Sequence, residues 1–498
     1  MGFILAASGS AIGLGNIVFF GANAYTFGAG AFYLPYLVAL VFVGIPVLIA
    51  ELGLGTFTQK AFPAAMREVG GAKGEFIGWW GLLNSAFITA YYITILAWVC
   101  GMFVGAAGKL WLPSSNVEAF GIPEMPNPVG YFFDMISSWW VLVLVVIVWL
   151  LNVFIVRRGI DSIEPVTKVF VPLMWIFMIV LIIRGVTLPN GEDGVYLLFT
   201  PNFSVMNDLN VWGGAVSQIF FSLTLGFGVM TAYASYLPKS SDQTSNSLVV
   251  ACLNCGFEYV AGIAIFSILF SFAIVPQAST LAMMFFVVPQ GIKALPFGVI
   301  AFGLMFFFLL LIAGLSSSIS LVEAINSALV DKFGWSRRKV LTTTATVGVL
   351  GSLCFALPMV IDGNLASNGT LGLTLLDLVD HWAFSHGLLI VGLVECLMIG
   401  WLLPISKIRE LLNRNSRLNL PVAFDWLIKL VIPLGLTAIL GHSIYQKFVN
   451  GMYGSTFTFD WGASLPWIAF AAWLLGTTGV AAWLTAGRQI THETGELS

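Results

Sequence analysis

Residues 9–16 read Gly-Ser-Ala-Ile-Gly-Leu-Gly-Asn, and they lie in a stretch from Met1 to Ala50 that contains no Asp, Glu, Lys, Arg or His. A stretch of this length and character predicts helices that cross a membrane. The glycines weaken the first helix, and Asn16 adds a polar group beside them. In hydrocarbon, such an interruption is costly unless the freed backbone groups bind something. The motif therefore predicts a broken helix that holds a ligand at the middle depth of the membrane.

A second break is predicted about two hundred residues later, at Gly226–Gly228 within the charge-free stretch Leu209–Pro238. Two broken helices in corresponding positions are typical of a secondary transporter that binds its substrate at the midplane. At the first break, the amides of Leu14 and Gly15 suit a carboxylate, and the carbonyls before them suit a small cation. The alternative for the first break is a glycine kink used for close helix packing.

The composition is that of a membrane protein, since 58% of the 498 residues are hydrophobic and only 9% are charged. Twelve charge-poor runs are each long enough to cross about 30 Å of hydrocarbon. They lie at about residues 3–23, 31–56, 76–108, 135–156, 165–183, 211–237, 243–275, 294–330, 340–361, 373–403, 421–448 and 463–487. We therefore expect an all-α membrane protein with twelve transmembrane helices. The loops leave no room for an ATP-hydrolysing module, and no helix carries a nucleophile with its base or a metal-ligand cluster, so an enzyme is disfavoured.

The runs also predict an internal repeat. Five helices starting at each break form a unit, and the odd number makes the second unit enter the membrane from the opposite side, which gives a 5+5 inverted repeat. The expected units are residues 1–184, residues 185–403 with the outer loops, and residues 404–498 with two C-terminal helices. With the start of the chain inside, all Lys and Arg residues fall in inside loops except Lys109, Arg184, Lys293 and Lys447. This bias predicts that both termini lie in the cytoplasm. The expected location is the inner (plasma) membrane.

Two polar groups within the apolar runs are candidates for ion binding. Residues Ala313–Ser318 include three successive serines, whose hydroxyls together with carbonyls suit Na⁺, although serines in membrane helices also bond back to their own helix. Asn254 and Glu258 lie on the same face of one helix, one turn apart. A carboxylate within a membrane helix is a functional candidate by default.

Taken together, these motifs resemble those of the neurotransmitter:sodium symporter family, and especially its bacterial amino-acid members such as the leucine transporter. The matching segments follow one another through nearly the whole chain. They are Gly9–Asn16, Gly28–Phe32, Pro35-Tyr36, Gly44–Pro46 with Glu51, Tyr91-Tyr92, Gln218–Gly228, Tyr233–Tyr236, Asn254 and Ala313–Ser317. The resemblance implies a leucine-transporter-like fold with broken first and sixth helices, and sodium-driven alternating access.

Carried over residue by residue, the resemblance implies two Na⁺ sites beside the substrate. The first would be formed by Ala11, Asn16, Ser222, Asn254 and the substrate carboxylate, and the second by Gly9, Ile12, Ala313, Ser316 and Ser317. The implied substrate-binding residues are Ser10, Ala11, Leu14, Gly15, Ile88, Tyr92, Phe221, Ser222, Thr224, Phe227, Ser317 and Leu321. Gly13 lies where monoamine carriers of the family have an aspartate, so a substrate with its own carboxylate is favoured.

Glu258 lies where chloride-dependent relatives have a small hydroxyl residue, near the positions of Tyr36, Gln218 and Ser222. A fixed carboxylate there can replace the charge of chloride, so the resemblance predicts chloride independence. It also allows proton antiport through Glu258. The alternative is a permanently protonated hydrogen-bond donor.

The outer gate departs from the family pattern. Relatives have an arginine three residues after the asparagine, whereas this chain has Phe19, and the acidic partner is kept as Asp380. Three outcomes are open: an aromatic lid of Phe19 with Phe227 and Tyr92, recognition of an amino or guanidino group of the substrate by Asp380, or pairing of Asp380 with protonated His381.

The inner gate also departs from the pattern. Asp331 and Tyr236 lie at the inner-gate positions, but the chain begins within the first predicted helix and lacks the preceding Arg and Trp of relatives. Either the sequence is truncated or inward closure is weak.

The function expected from the sequence is a sodium-coupled symporter of amino acids or amino-acid-like solutes. It would act in the lipid bilayer as a monomer or homodimer, with a small substrate and no nucleic acid as partners. The alternative is a transporter-derived solute sensor or an uncoupled conduit with an altered outer gate.

Overall fold

Helices dominate the computed structural model, which describes residues 2–117, 122–277, 279–361, 371–403, 405–451, 453 and 464–487. Every one of the twelve apolar runs contains a helix. The helical segments are Gly2–Ala11 with Gly15–Thr26, Gly30–Thr58, Phe62–Ala106, Val129–Ile136 with Trp140–Val156, Ile160–Val186, Leu209–Ser222 with Val229–Ser235, Gln243–Ser271, Val299–Phe333, Arg337–Ile361, Leu373–Trp401, Ala423–Asn450 and Leu465–Ala486.

Nine of the helices in the described ranges are long and apolar enough to cross a membrane. The longest of them, Phe62–Ala106, is kinked at Gly70 and Gly71. Two bent pairs raise this number to eleven, with a bend of 54° after Ala11 and one of 81° after Ile136. The remaining run is divided between Ser222 and Val229. The two predicted breaks are thus both present in the structure.

Shorter elements connect these segments. Two antiparallel strands, Ser114–Val117 and Ile122–Pro126, pair with Ser114 opposite Pro126. Additional helices are Gly191–Phe199, Thr280–Lys293 and Ile405–Asn415, and 3₁₀ turns are found at Lys109–Trp111 and Phe203–Asn207. Single π turns interrupt the helices at Gly15–Phe19, Leu40–Gly44, Met283–Val287, Ala383–Gly387 and Leu427–Val431.

The long helix Phe62–Ala106 packs along Val299–Phe333 and forms the centre of the protein. The first broken helix packs against Ile160–Val186 and Gln243–Ser271, and the second half of the other broken helix packs against Ile45–Thr58. Because these neighbours surround both interruptions, the breaks lie inside the protein and away from lipid. Irregular backbone is tolerated at membrane depth only in such a place.

Candidate functional site

The first break leaves two backbone amides to be satisfied by side chains. The Gly13 N–H donates to Asn16 Oδ1 at 2.9 Å, and the Leu14 N–H donates to the Tyr92 hydroxyl at 3.3 Å. A Cβ atom on Gly13 would lie only 2.5 Å from Ser317 Oγ and 3.1 Å from the Tyr92 oxygen. A side chain at this position would have to displace the Ser317 hydroxyl, so glycine lets the first helix approach its neighbours this closely.

The second break begins before Gly226, the first of the glycines that predicted it. The helix ends at Ser222, and positive φ angles follow at Thr224 (59°), Gly226 (74°) and Gly228 (73°). This conformation is rare for a β-branched residue such as Thr224 and marks local strain. The Gly226 N–H is held by Glu51 Oε1 at 2.7 Å, so a carboxyl group of another helix satisfies the opened backbone.

The side chains proposed for the first Na⁺ site meet beside the breaks. Asn16 Nδ2 donates to Asn254 Oδ1 at 2.7 Å and to Ser222 Oγ at 3.2 Å, and Asn254 Nδ2 donates to the same hydroxyl at 2.5 Å. All three side chains are buried. Ala11 lines the adjacent cavity. Hydroxyl and carboxamide oxygens without formal charge are donors that fit Na⁺ at a dry position.

Most residues predicted for the second Na⁺ site lie between the first broken helix and Val299–Phe333. Ser316 Oγ donates to the Ala313 carbonyl at 2.9 Å and lies 3.5 Å from the Ile12 carbonyl. Ser317 Oγ donates to the Ser10 carbonyl at 2.8 Å. The structure therefore gathers two hydroxyls and the carbonyls of both helices. A Cβ atom on Gly9, one turn before Ile12, would lie 3.1 Å from Val171 and 3.2 Å from Thr167, so this residue packs closely on the helix Ile160–Val186.

A small cavity of about 20 Å³ lies between the two breaks. It is lined by Ser10, Ala11, Gly13, Ile88, Tyr92, Phe221, Thr224, Phe227, Ser317 and Leu321. The buried hydroxyls of Ser10 and Thr224 have no hydrogen-bond partner in the described part of the chain. Because a buried polar group without a partner is destabilising, these hydroxyls are available to a polar ligand.

Three residues predicted to bind substrate do not line this cavity. The Leu14 side chain faces Gly314 of Val299–Phe333, while the Cα of Gly15 lies beneath the Phe221 ring. Ser222 faces the pair of asparagines. Gly13, which was not among the predicted substrate residues, lines the cavity instead.

Glu258 is buried in a cluster of hydrogen-bond donors next to Ser222. The Tyr36 hydroxyl donates to its Oε2, and Gln218 Nε2 donates to its Oε1 at 2.8 Å. Asn23 Nδ2 in turn donates to Gln218 Oε1 at 2.9 Å and orients that amide. The three residues predicted to replace chloride are thus brought together, with two donors directed at one carboxyl group.

Aromatic rings cover the cavity beside the residues predicted for the outer gate. The Phe19 ring lies 5.3 Å from that of Phe221 and 6.0 Å from that of Phe384, and the rings of Phe221 and Phe384 are 4.8 Å apart. We call these three rings the aromatic lid. Phe19 therefore packs on Phe221 and Phe384, and not on the expected Phe227 and Tyr92. Phe384 is the residue that sequence reasoning missed, although it follows Asp380 by one helical turn.

Asp380 is engaged by a neighbouring hydroxyl. Its Oδ1 accepts a hydrogen bond from Tyr91 at 2.5 Å. The His381 ring instead stacks on Tyr453 with the centroids 3.8 Å apart. Among the described residues, no ion pair joins Asp380 to His381. The pairing of these two side chains, one of the three outcomes left open for the outer gate, is therefore not formed in this conformation.

The predicted inner-gate residues have partners within the described chain. Asp331 Oδ2 accepts from the Ala61 N–H at 2.7 Å, and Tyr236 donates to Glu323 Oε1 at 2.8 Å. Glu323 also pairs with Arg337.

A buried ion pair, which the sequence did not single out, joins the helix Val299–Phe333 to Phe62–Ala106. Lys332 Nζ is 2.6 Å from Glu75 Oε1, and both side chains are at most 2% exposed. This ion pair therefore connects the end of Val299–Phe333 to the first part of Phe62–Ala106.

Comparison with known proteins places this geometry among sodium-dependent transporters. The model of the Sodium:neurotransmitter symporter family matches residues 1–112 and 134–485. An uncharacterized sodium-dependent transporter of Methanocaldococcus jannaschii is 37% identical over 492 residues, covering 94% of both chains. The human sodium- and chloride-dependent GABA transporter 2 is 28% identical over 517 residues, covering 94% of this chain and 83% of the human protein.

One solved structure also matches closely. The crystal structure of MhsT in complex with L-phenylalanine has a TM-score of 0.76 and 29% sequence identity, and the match covers 90% of this chain and 98% of the other. The predominantly helical membrane fold expected from the two broken helices is therefore confirmed.

Proposed function

The chain belongs to the sodium:neurotransmitter symporter family, and we propose that it is a sodium-coupled symporter of amino acids or amino-acid-like solutes. Membership of the family makes it a sodium-dependent membrane transporter and not an enzyme. The observation that carries the proposal is the meeting of both broken helices with Asn16, Ser222 and Asn254 around one cavity.

The cavity favours a substrate that carries a carboxylate. No acidic side chain is among its lining residues within the described ranges. The positive ends of backbone dipoles at the first break attract an anionic group, and Tyr92 already contacts the Leu14 amide there. The named ligands of two similar transporters, GABA and L-phenylalanine, both carry a carboxylate. The rings of Phe221 and Phe227 supply an apolar surface for a side chain.

Two sodium sites are proposed next to this substrate site. Asn16, Ser222 and Asn254 would hold the first ion, with Ala11 and the substrate carboxylate completing its shell. Ser316 and the other four predicted residues would hold the second. Because one ion would touch the substrate, each would raise the affinity of the other, and this coupling is reciprocal.

Chloride independence is proposed from the environment of Glu258. Its carboxyl group receives hydrogen bonds from Tyr36 and Gln218, which are donors that an anion at this position would also use. A carboxylate held by two donors keeps negative charge near the first sodium site without chloride. Release of a proton from Glu258 would further allow proton antiport.

Uptake by reconstituted protein tests these proposals. We expect proteoliposomes with an inward Na⁺ gradient to concentrate L-phenylalanine, and we expect K⁺ in place of Na⁺ to abolish uptake. Replacing chloride by gluconate should leave the wild-type rate unchanged, whereas the Glu258→Ser variant should need chloride. Sodium-dependent binding without concentrative uptake would refute the symporter and favour a sensor or an uncoupled conduit.

The proposed orientation has both termini in the cytoplasm, in the inner (plasma) membrane. It is supported by the concentration of Lys and Arg in alternate loops. Labelling of single cysteines placed in the loops, with intact cells and then with inverted vesicles, would test it. A monomer or homodimer is compatible with this arrangement.

A further inference from the structure

A second and larger cavity, of about 570 Å³, lies between the helices Phe62–Ala106, Arg337–Ile361 and Leu465–Ala486. We call it the lateral groove. Its volume lies within the range of about 300–1,000 Å³ that is typical of ligand sites. Val347 on its rim is 64% exposed, so the groove reaches the surface that a membrane protein presents to lipid.

The walls of the lateral groove offer an occupant little besides hydrocarbon. Two of the hydroxyl groups among its lining residues are already hydrogen bonded within the protein. The Thr89 hydroxyl donates to the Ser85 carbonyl at 2.7 Å, and the Thr344 hydroxyl donates to Asn326 Oδ1 at 2.8 Å. A ligand held there gains from apolar contact, which favours a hydrocarbon chain.

Small residues let the helices around the groove pack closely against one another. A Cβ atom on Gly351 would lie 3.3 Å from that of Ala90, and one on Gly476 would lie 3.4 Å from the Phe87 ring. Ala472 also lines the groove. A larger residue at Gly351 or Gly476 would press against the neighbouring helix, whereas a larger residue at Ala472, whose side chain is exposed, would occupy the groove.

The groove has the length of one membrane leaflet. Its lining residues on Arg337–Ile361 run from Thr343 to Phe355. At 1.5 Å per residue this distance is about 18 Å, close to half of a hydrocarbon core of about 30 Å. A single acyl chain of a phospholipid therefore fits the groove in length as well as in polarity.

Positive charge lies at one end of the groove. Lys339 precedes Thr343 by one turn on the same helical face, and its Nζ lies 4.0 Å from the centroid of the Trp335 ring. The neighbouring Arg338 side chain is exposed. Basic residues at the membrane surface attract anionic lipid headgroups.

We propose that the lateral groove binds one acyl chain of an anionic phospholipid, with Arg338 and Lys339 holding the phosphate group. The groove and the substrate cavity share one helix. Phe87 and Ala90 face the groove, while Ile88 and Tyr92 on the same two turns face the substrate cavity. The lipid thus supports the helix that forms one wall of the substrate site.

Native mass spectrometry of the purified full chain tests this site with dioleoyl phosphatidylglycerol and, for comparison, dioleoyl phosphatidylcholine. We expect phosphatidylglycerol to bind more tightly. Ala472→Trp should fill the groove and weaken binding of both lipids at least about tenfold, because it removes the apolar contact. The matched control is Leu475→Trp on the same helix, since Leu475 is 69% exposed and does not line the groove.

A variant that lacks the two basic side chains distinguishes binding of the lipid headgroup from binding of the acyl chain. Arg338→Gln with Lys339→Gln should weaken phosphatidylglycerol binding roughly 10- to 30-fold and leave phosphatidylcholine unchanged, as expected for two lost surface charges. Arg157→Gln with Arg158→Gln, another exposed basic pair, should change neither. Equal affinity of Ala472→Trp, Leu475→Trp and wild type would overturn the proposal. A lipid-free wild-type dimer that Ala472→Trp dissociates would overturn it too, because a second copy would then occupy the groove.

Discussion

Phe19→Ala should open the aromatic lid and speed the release of bound substrate. Phe19 makes two ring contacts, at 5.3 Å to Phe221 and 6.0 Å to Phe384. Aromatic pairs of this kind contribute about 0.5–1.5 kcal/mol each beyond their buried area, so the variant loses about 1–3 kcal/mol of the free energy that favours closure. This loss corresponds to a roughly 5- to 150-fold faster release.

The release rate can be measured with radiolabelled L-phenylalanine bound in NaCl and then diluted into unlabelled ligand. Phe19→Leu keeps apolar volume without the ring and should give an intermediate rate. The matched control is Phe103→Ala, which removes a single ring contact, at 5.8 Å to Phe308, and does not touch the substrate cavity.

An unchanged release rate for Phe19→Ala, together with faster release for Asp380→Asn, would refute the lid. Closure would then depend on the hydrogen bond between Tyr91 and Asp380. Altered selectivity of Asp380→Asn between neutral and cationic amino acids would instead assign that carboxyl group to substrate recognition.

Three further predictions concern the site and its support. Gly13→Ala should weaken Na⁺-dependent substrate binding about 5- to 150-fold, because its Cβ would lie 2.5 Å from Ser317 Oγ and such overlap costs about 1–3 kcal/mol. An unchanged Kd together with an unchanged Tm would contradict this prediction. Asn254→Ala should raise the Na⁺ concentration for half-maximal substrate binding at least about tenfold, because a contact to a charged ligand is lost. A Na⁺ titration that matches wild type would argue against the first Na⁺ site. Glu75→Gln should lower the free energy of unfolding by about 3–5 kcal/mol, since it leaves Lys332 buried without its partner. Thermal unfolding measures this effect, and adding Lys332→Met should restore part of the stability if the unpaired charge is its cause.

Residues whose position follows from sequence motifs were predicted well. Asn16, Ser222 and Asn254 are more than thirty residues apart from one another, yet the order of motifs along the chain placed them together, and their side chains are hydrogen bonded. The membrane makes this prediction easier, because apolar runs show which segments cross it. A polar group inside such a run must lie against other polar groups in the interior of the protein.

Features that depend on local backbone geometry were harder to predict. Glycines located the second break at Gly226–Gly228, but the helix already ends at Ser222 because Thr224 adopts a positive φ. No residue preference predicts that conformation for threonine. Phe384 reaches Phe19 from a π turn at Ala383–Gly387, which changes the direction of its side chain. A phenylalanine in an apolar helix carries no sequence signal for such a contact.

The aromatic lid has a consequence for the conditions under which the transporter closes. A gate formed by an ion pair weakens as salt is added, and the outside solution is the one rich in the driving salt. Aromatic rings carry no net charge, so salt does not screen the packing of Phe19 against Phe221 and Phe384. Burial of apolar surface weakens on cooling instead. Closure over the substrate should therefore weaken on cooling and stay nearly unchanged when salt is added, whereas closure by an ion pair should weaken when salt is added.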